Sequence, residues 1–116
     1  MGWKLTVRAG PRVERERFDG LDDLLDAVEA RGRDLAESTS REPVDAKLRR
    51  FEPVQQVVAR LEFSGPQRLM PSVTAGVDVR GDGSIEAYTG RVKRRVVDQR
   101  KGENAYGALR RELTSR

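Results

Sequence analysis

The chain has 116 residues, of which 36% are hydrophobic and 36% charged, and it contains no cysteine and no histidine. This length suits one domain with one core, and the lack of cysteine excludes disulfides and thiolate metal sites. Without histidine the chain also lacks the commonest general base. We therefore expect no metal and no cofactor, and a non-catalytic role is favoured over an enzyme.

The formal net charge of +4 is unevenly distributed along the chain. Residues 91–116 hold nine basic and three acidic residues, a net charge of +6, whereas residues 1–90 have a net charge of −2. Arginine supplies 19 of the 23 basic residues, a bias that coding composition can produce. The positive excess in the last quarter indicates either an anionic partner or a soluble tail.

The first two elements are predicted to be strands of a hairpin. Apolar and polar residues alternate from Trp3 to Ala9, and VERERF continues as a second strand after the break AGPR. A three-residue loop, residues 9–11, keeps the faces consistent by setting Val7 opposite Val13 and Trp3 opposite Arg17. This register makes the second strand a charged edge. It predicts either a cation–π pair between Trp3 and Arg17 or an exposed Trp3 that is a candidate partner-binding residue.

The next element is predicted to be a long amphipathic helix at about residues 20–38. Its apolar residues recur at helical spacing and form one stripe: Leu21, Leu24, Leu25, Val28 and Leu35. Asp22 and Asp23 lie in the first turn, where the helix dipole favours negative charge. Gly32 weakens the final part of this helix.

Three further strands are predicted at about residues 44–51, 57–63 and 73–79, where apolar and polar residues alternate. The segment SGPQRLMPS between the last two is predicted to be a loop, because its two prolines oppose regular structure. Leu69 and Met70 in this loop are candidates either for anchoring it to the core or for contacting a partner.

The segment VDVRGDGSIEAYTG, residues 77–90, matches several short motifs. Its Arg-Gly-Asp tripeptide is a cell-adhesion signal, but nothing in the sequence indicates secretion. It lacks the Gly-Lys-Ser ending of a phosphate-binding loop, and it lacks the spacing of a calcium-binding EF-hand loop. These motifs therefore give no functional assignment.

A hairpin explains the same segment better. A three-residue turn formed by Gly81, Asp82 and Gly83 pairs the apolar residues before and after it on one face. It also sets Tyr88 over Gly76, where the ring can cover bare backbone. Gly83 suits the left-handed position that closes such a turn. We therefore predict that these three residues have a structural role.

The C-terminal quarter contains an ambiguous segment and a helix. Residues 91–98 fit either a strand or a helix, and Thr89-Gly90 before them favours a tight turn into a strand. Residues of about 103–113 are predicted to form a short terminal helix, in which Ala105, Tyr106, Leu109 and Leu113 are apolar.

The basic segment GRVKRRVVDQRK, residues 90–101, is the strongest functional lead. A two-residue turn at Thr89-Gly90 sets Tyr88 opposite Arg91 and places the following basic side chains in a row on the outer face of the sheet. An aromatic ring in a cationic sheet surface can hold single-stranded nucleic acid by stacking and phosphate contacts. The alternative is an edge strand kept soluble by its charge. The candidate residues for nucleic-acid or partner binding are Tyr88, Arg91, Lys93, Arg95, Arg100 and Lys101.

Together these elements predict a single α+β domain over residues 1–116. A mostly antiparallel sheet of about five to seven strands, in the order ββα-ββββ(β)-α, is expected to carry the long helix and the short C-terminal helix on one face. A cytoplasmic location without membrane contact is expected. No stretch approaches the length of a membrane span, and the N-terminus lacks the apolar run of a signal peptide.

The expected function is that of a non-catalytic binding or accessory protein that acts through its sheet face and its basic C-terminal segment. Its partner is either a protein, including a second copy of the chain, or RNA or single-stranded DNA. The alternative is a small-molecule cup between sheet and helix, lined by residues such as Leu25, Val57, Leu61 and Val77. An enzyme would need carboxylates such as Asp78 and Glu86 to converge in a cleft.

Overall fold

A six-stranded antiparallel sheet is the centre of the molecule. The computed structural model describes residues 2–41, 56–67, 70–90 and 93–114. Over these ranges the strand order in space is β2-β1-β3-β4-β5-β6. The elements are β1 (Trp3–Ala9), β2 (Arg12–Phe18), α1 (Leu21–Arg41), β3 (Val57–Gln67), β4 (Met70–Arg80), β5 (Ile85–Thr89), β6 (Arg95–Val96) and α2 (Ala105–Thr114). The predicted α+β fold is confirmed, while the strand predicted at residues 44–51 lies outside the described residues.

One face of the sheet, the inner face, packs against both helices and forms the core. Because side chains alternate along a strand, every second residue of the central strands is apolar and buried. These residues include Leu5, Val7, Leu61, Phe63, Ala75, Val77, Val79 and Ala87. From the helices, Leu24, Val28, Leu109 and Leu113 complete the same cluster. The opposite face of the sheet, called the outer face below, carries the remaining strand residues.

The first hairpin has a register that differs from the predicted one. Ala9 pairs with Arg12 and Val7 with Glu14, so the turn is the two residues Gly10-Pro11 and the predicted three-residue loop is wrong. Gly10 has a φ of 59°, and the ring of Pro11 fixes its φ at about −65°. These values fit the two central positions of a type II′ turn, the geometry favoured in two-residue hairpins. Turn geometry here outweighs the matching of apolar faces.

The two-residue turn places Glu14 and Glu16 of β2 on the inner side and Arg15 and Arg17 on the outer face. Arg31 of α1 donates to Glu14, and its Nη1 lies 3.7 Å from Oε1 of Glu16. An ion pair to the helix therefore compensates for the lack of apolar residues at these positions. Arg15 and Arg17 are exposed on the outer face. The sheet order confirms that β2 is an edge.

The predicted cation–π pair between Trp3 and Arg17 does not form. Trp3 pairs with Phe18 in the ladder, and its ring lies in the core. There it meets the ring of Phe63 at a centroid distance of 6.1 Å and an interplanar angle of 65°. An edge-to-face arrangement of this kind is favourable for two aromatic rings.

β3 and β4 form a long hairpin that extends into the segment predicted to be a loop. β3 runs to Gln67 and β4 begins at Met70, so the loop prediction for residues 64–72 is wrong for most of the segment. The ladder shifts register between Gly65 and Gln67. Pro66 lies at this irregularity, where a strand can lack a ladder hydrogen bond. Leu69 lies outside the described residues, and the roles suggested for it and for Met70 stay predictions.

The hairpin between β4 and β5 has the predicted three-residue turn and the predicted register. The N–H of Arg80 donates to the carbonyl of Ser84 at 2.9 Å, and Gly83 has a φ of 86°. Oδ1 of Asp82 accepts hydrogen bonds from the Oγ and N–H of Ser84, which lowers the pKa of Asp82. The residues of the Arg-Gly-Asp motif are thus held in a turn by their own hydrogen bonds.

β6 decides the ambiguous segment in favour of a strand, although a short one. Thr89 pairs with Arg95 and Tyr88 with Val96. The predicted two-residue turn at Thr89-Gly90 is wrong, because β5 ends at Thr89 and β6 begins only at Arg95. The N–H of Val97 extends the pairing by donating to the carbonyl of Ala87 at 2.9 Å.

The C-terminal helix α2 begins at Ala105, two residues later than predicted. The side-chain Oδ1 of Asn104 accepts a hydrogen bond from the N–H of Gly107 at 2.8 Å, which is the geometry of an N-cap. Arg110 of α2 binds Asp22 and Asp26 of α1 at 3.0 and 2.6 Å, so the two helices are joined by ion pairs. No helix in the described part of the chain is long and apolar enough to cross a membrane.

Candidate functional site

The outer face of the sheet divides into two halves with different charge. On β3, β4 and β5 the acidic side chains are matched by arginines. Nε and Nη2 of Arg60 donate to the two oxygens of Asp78 at 2.6 and 3.1 Å, and Arg80 donates to Glu86 at 2.7 Å. Asp78 is only 7% exposed, so its carboxylate is largely removed from water, while Arg60 stays partly exposed. We call this region the neutralised half.

Tyr88 is the centre of the neutralised half. Its ring crosses Gly76 on β4, and its hydroxyl donates to Oε2 of Glu62 on β3 at 2.6 Å. The guanidinium carbons of Arg94 and Arg60 lie 4.8 and 5.7 Å from the ring centroid. These contacts leave Tyr88 only 3% exposed, although it lies on the outer face.

The electrostatics of this cluster favour a protonated Tyr88 and a charged Arg60. Burial, followed by the hydrogen bond and the negative charge of Glu62, raises the pKa of Tyr88 far above its usual value. The hydrogen bond to Asp78 raises the pKa of Arg60. Tyr88 therefore stays protonated and acts as a donor to Glu62. A nucleic-acid base could stack on its ring only if Arg60 or Arg94 moved away.

The other half of the outer face, on β1 and β2, is cationic. Its exposed basic side chains, called the cationic patch below, are Lys4, Arg8, Arg15 and Arg17. None of them forms an ion pair within the ranges that the structure describes. The three acids that the structure describes on the outer face are Glu62, Asp78 and Glu86, and all three are bound in the neutralised half.

The ladder places like charges directly opposite each other in this patch. Lys4 pairs with Arg17 across β1 and β2, and Arg8 pairs with Arg60 across β1 and β3. Opposed like charges destabilise a sheet by a few tenths of a kcal/mol or more. The positive charge of the patch is therefore not explained by the stability of the sheet, which makes it a candidate binding surface.

The structure does not bring the predicted candidate residues together beside Tyr88 on the outer face. Arg91 lies outside the described residues, and Lys93 and Lys101 are exposed away from any described partner. Arg95 pairs with Thr89 and so lies on the helix side of the sheet rather than in a row beside Tyr88. Arg94, which is not among the candidates predicted from the sequence, covers the Tyr88 ring together with Arg60.

Arg95 and Arg100 instead lie on a separate cleft between β6 and α2. This cleft has a volume of about 310 Å³, and Arg111 of α2 also lines it. The sequence could not reveal this grouping, because it depends on the length of the connection between β5 and β6. The cationic patch had a clearer signal, since its members alternate with apolar or acidic residues along two adjacent strands. The three-residue turn predicted for the first hairpin hides this signal, because it assigns Arg15 and Arg17 to the inner face.

The residues named for a small-molecule cup and for a catalytic carboxylate pair have other contacts in the described structure. Leu25, Leu61 and Val77 are packed in the core cluster, and Val57 is 42% exposed. Asp78 and Glu86 do pair across the hairpin, but each is bound to an arginine. Within the described ranges no group of three potential metal ligands occurs. Comparison of the chain with protein-family models, with curated proteins and with solved structures finds no match.

Proposed function

We propose that this protein is a non-catalytic nucleic-acid-binding domain that contacts phosphate groups through the cationic patch. The observation that carries the proposal is the arrangement of charge on the outer face. Lys4, Arg8, Arg15 and Arg17 are exposed and without acidic partners among the described residues, while the acids of the same face are bound elsewhere. Phosphate oxygens are natural partners of such cations.

Contact with phosphates rather than bases follows from the position of the aromatic side chains. Trp3 and Phe63 lie in the core, and Tyr88 is covered by two arginines. Stacking on bases requires an exposed ring, and the patch offers none among the described residues. Phosphate contacts alone carry little sequence information. The proposed binding is therefore expected to be weakly selective for sequence and strongly dependent on salt.

The alternative partner is a second copy of the chain, bound edge to edge through β2. The charges on β2 oppose this pairing. A two-fold symmetric antiparallel pairing of two β2 edges sets residues of the same sheet face opposite each other. Arg15 and Arg17 would then meet only Val13 or another arginine, and never Glu14 or Glu16. Charged edge strands commonly prevent such pairing, which leaves the outer face as the better surface for a partner.

The test is the affinity of the protein for a 20-base-pair duplex and for single strands of the same sequence, measured by fluorescence anisotropy across a salt series. Four phosphate contacts predict a slope of log affinity against log salt of about −3.6 for duplex DNA and about −2.8 for a single strand. The variant K4Q/R8Q/R15Q/R17Q is expected to lose this salt-dependent binding while keeping the stability of the fold, because exposed charges contribute little to it.

A matched control removes the same amount of charge from the basic C-terminal segment, in the variant K93Q/R95Q/R100Q/K101Q. The proposal expects this variant to retain most of the affinity and the slope. The reverse result would move the interface to the C-terminal segment. Absence of binding to nucleic acid at low salt would overturn the proposal. Equal affinity for polyglutamate, a polyanion without phosphate, would overturn it as well.

A further inference from the structure

The cleft between β6 and α2 groups three arginines away from the outer face. Arg95 comes from β6, Arg100 from the segment that follows it, and Arg111 from α2. The volume of about 310 Å³ is within the range of small-ligand sites. None of these residues belongs to the cationic patch, so the cleft and the patch can be tested independently.

Arg111 is held rigidly at the wall of the cleft. Its Nε and Nη2 donate to the two oxygens of Glu103 at 2.8 and 3.1 Å, and Nη2 also donates to the carbonyl of Asp98 at 2.8 Å. The bond to Glu103 raises the pKa of Arg111, and the bond to Arg111 lowers the pKa of Glu103. Its third nitrogen, Nη1, donates to no acceptor in the described part of the chain. A guanidinium fixed in this way can bind an anion with little further loss of entropy.

Arg95 and Arg100 add two positive charges to the lining of the cleft. Both side chains are exposed and neither forms an ion pair within the described ranges. The backbone N–H of Arg100 donates to Oε1 of Glu103 at 2.8 Å, which ties the segment carrying Arg100 to the residue that fixes Arg111. Glu103 therefore holds both the guanidinium of Arg111 and the backbone of Arg100, and all three arginines line one cleft.

We infer that this cleft binds the phosphate group of a small molecule, either free phosphate or a phosphate monoester. Guanidinium groups bind phosphate with paired, charge-assisted hydrogen bonds, and a cluster of three matches a dianion better than a single carboxylate. Thr89, Asp98 and Glu112 also line the cleft, so its three arginines outnumber its two carboxylates. The hydroxyl and the carboxylates offer acceptors to the hydroxyl groups of an attached sugar. The remaining volume leaves room for such a substituent.

The test is isothermal titration of the full chain with inorganic phosphate, glucose 6-phosphate, glucose and glutarate, at matched ionic strength. Saturable binding of phosphate or glucose 6-phosphate is expected, without binding of glucose and with weaker binding of glutarate. Tighter binding of glucose 6-phosphate identifies a phosphate monoester as the ligand, and equal binding identifies free phosphate. Equal affinity for glutarate, or no saturable binding of either phosphate, would overturn the inference.

Variants separate the cleft from general charge effects. R95Q and R100Q are each expected to weaken phosphate binding by about tenfold or more, since each removes a charge-assisted contact. Lys101 adjoins Arg100 in the sequence but does not line the cleft, so K101Q is the matched control and is expected to bind within about twofold of the wild type. Loss of binding in K101Q equal to that in R100Q would overturn the inference. The patch variant K4Q/R8Q/R15Q/R17Q should bind phosphate normally.

Discussion

The two tyrosines of the chain lie in matching environments on opposite sides of the sheet. Tyr88 is on the outer face and Tyr106 is on α2, and they are 3% and 8% exposed. A glycine lies against each hydroxyl: Gly76 for Tyr88 and Gly32 of α1 for Tyr106. Arginines cover both rings, with Arg33 at 5.5 Å from the centroid of Tyr106. Each tyrosine thus bridges two elements across a position where only a glycine fits.

The two sites differ in one hydrogen bond. The hydroxyl of Tyr88 donates to Glu62 at 2.6 Å, whereas the buried hydroxyl of Tyr106 has no partner among the described residues. A buried polar group without a partner costs about 1–3 kcal/mol. Packing against a glycine is therefore the shared feature, and the hydrogen bond is what makes Tyr88 part of a rigid polar network on the outer face.

Gly76→Ala, which places a side chain against Tyr88 and Leu61, is expected to cause the largest loss of stability. A Cβ atom at this position would lie 2.3 Å from the carbonyl oxygen of Leu61 and 2.9 Å from the hydroxyl of Tyr88. Because the nearer contact is with backbone, the strand must shift, and we expect a loss of about 3 kcal/mol in the free energy of unfolding. Urea denaturation followed by circular dichroism measures this loss.

Adding Tyr88→Phe to Gly76→Ala sharpens the comparison. The second substitution removes the contact with the hydroxyl but leaves the contact with the carbonyl of Leu61. The double variant is therefore expected to stay at least as unstable as Gly76→Ala alone. Recovery of most of the stability in the double variant would mean that the tyrosine, and not the backbone, excludes a side chain at this position.

At Gly32 the expected loss of stability is smaller, and a second substitution is expected to restore it. A Cβ atom at Gly32 would lie 2.3 Å from the hydroxyl oxygen of Tyr106, a side-chain atom. Alanine is a better helix former than glycine by about 1 kcal/mol, yet we expect Gly32→Ala to destabilise the protein by about 1–2 kcal/mol because of this overlap. Thermal unfolding of the two proteins measures the difference.

Tyr106→Phe should rescue Gly32→Ala, because it removes the overlapping oxygen and leaves ring contacts of 3.0 Å. The effects of the two substitutions are then strongly non-additive. Gly107→Ala in α2 is the matched control, since the nearest atom to its Cβ is 3.4 Å away, and it should not respond to Tyr106→Phe in this way. Additive effects for Gly32 and Tyr106 would disprove the proposed contact.

The contrast between Gly32 and Gly76 also shows what the sequence could and could not reveal. The sequence pairs Gly76 with Tyr88 correctly. The turn at residues 81–83 fixes the register, and the two-residue period of a strand assigns both residues to the same face. For Gly32 the sequence indicates only a weak position in a helix. Its real role depends on the packing of α2 against α1, which no periodicity in the sequence specifies.

The fold class followed from patterns that are local and repeated. Alternating strands and an amphipathic stripe predicted the sheet, the long helix and the edge position of β2. The errors arose at connections. The turn Gly10-Pro11 was one residue shorter than predicted, and the connection after Gly90 was longer. A shift of one residue reverses the faces of a whole strand, so each short error moved several arginines to the other side of the sheet.

The candidate site was affected most by these two connections. The first placed Arg15 and Arg17 beside Lys4 on the outer face, and the second moved Arg95 away from Tyr88. Composition therefore indicated an abundance of exposed positive charge, but the grouping of that charge required the registers. Electrostatic grouping is a long-range property, and the sequence reveals it only as reliably as it reveals the turns.

The smallest expected effect is the loss of stability at alkaline pH that the ionisation of Tyr106 causes. Burial raises the pKa of Tyr106 from its usual value of 10 to about 12. Because the pKa is higher in the folded state, the protonated hydroxyl contributes stability that is fully present below pH 10 and is lost as the pH rises through about 12. Tyr106→Phe has no such group. Its stability relative to the wild type is therefore expected to be constant below pH 10 and to increase by about 1 kcal/mol near pH 11. Denaturation of both proteins at several pH values measures this difference, and titration of Tyr88 and the lysines cancels because both proteins contain them. A difference that stays constant through pH 11 would mean that the hydroxyl of Tyr106 ionises as freely in the folded chain as in the unfolded one, and that it reaches water despite its burial.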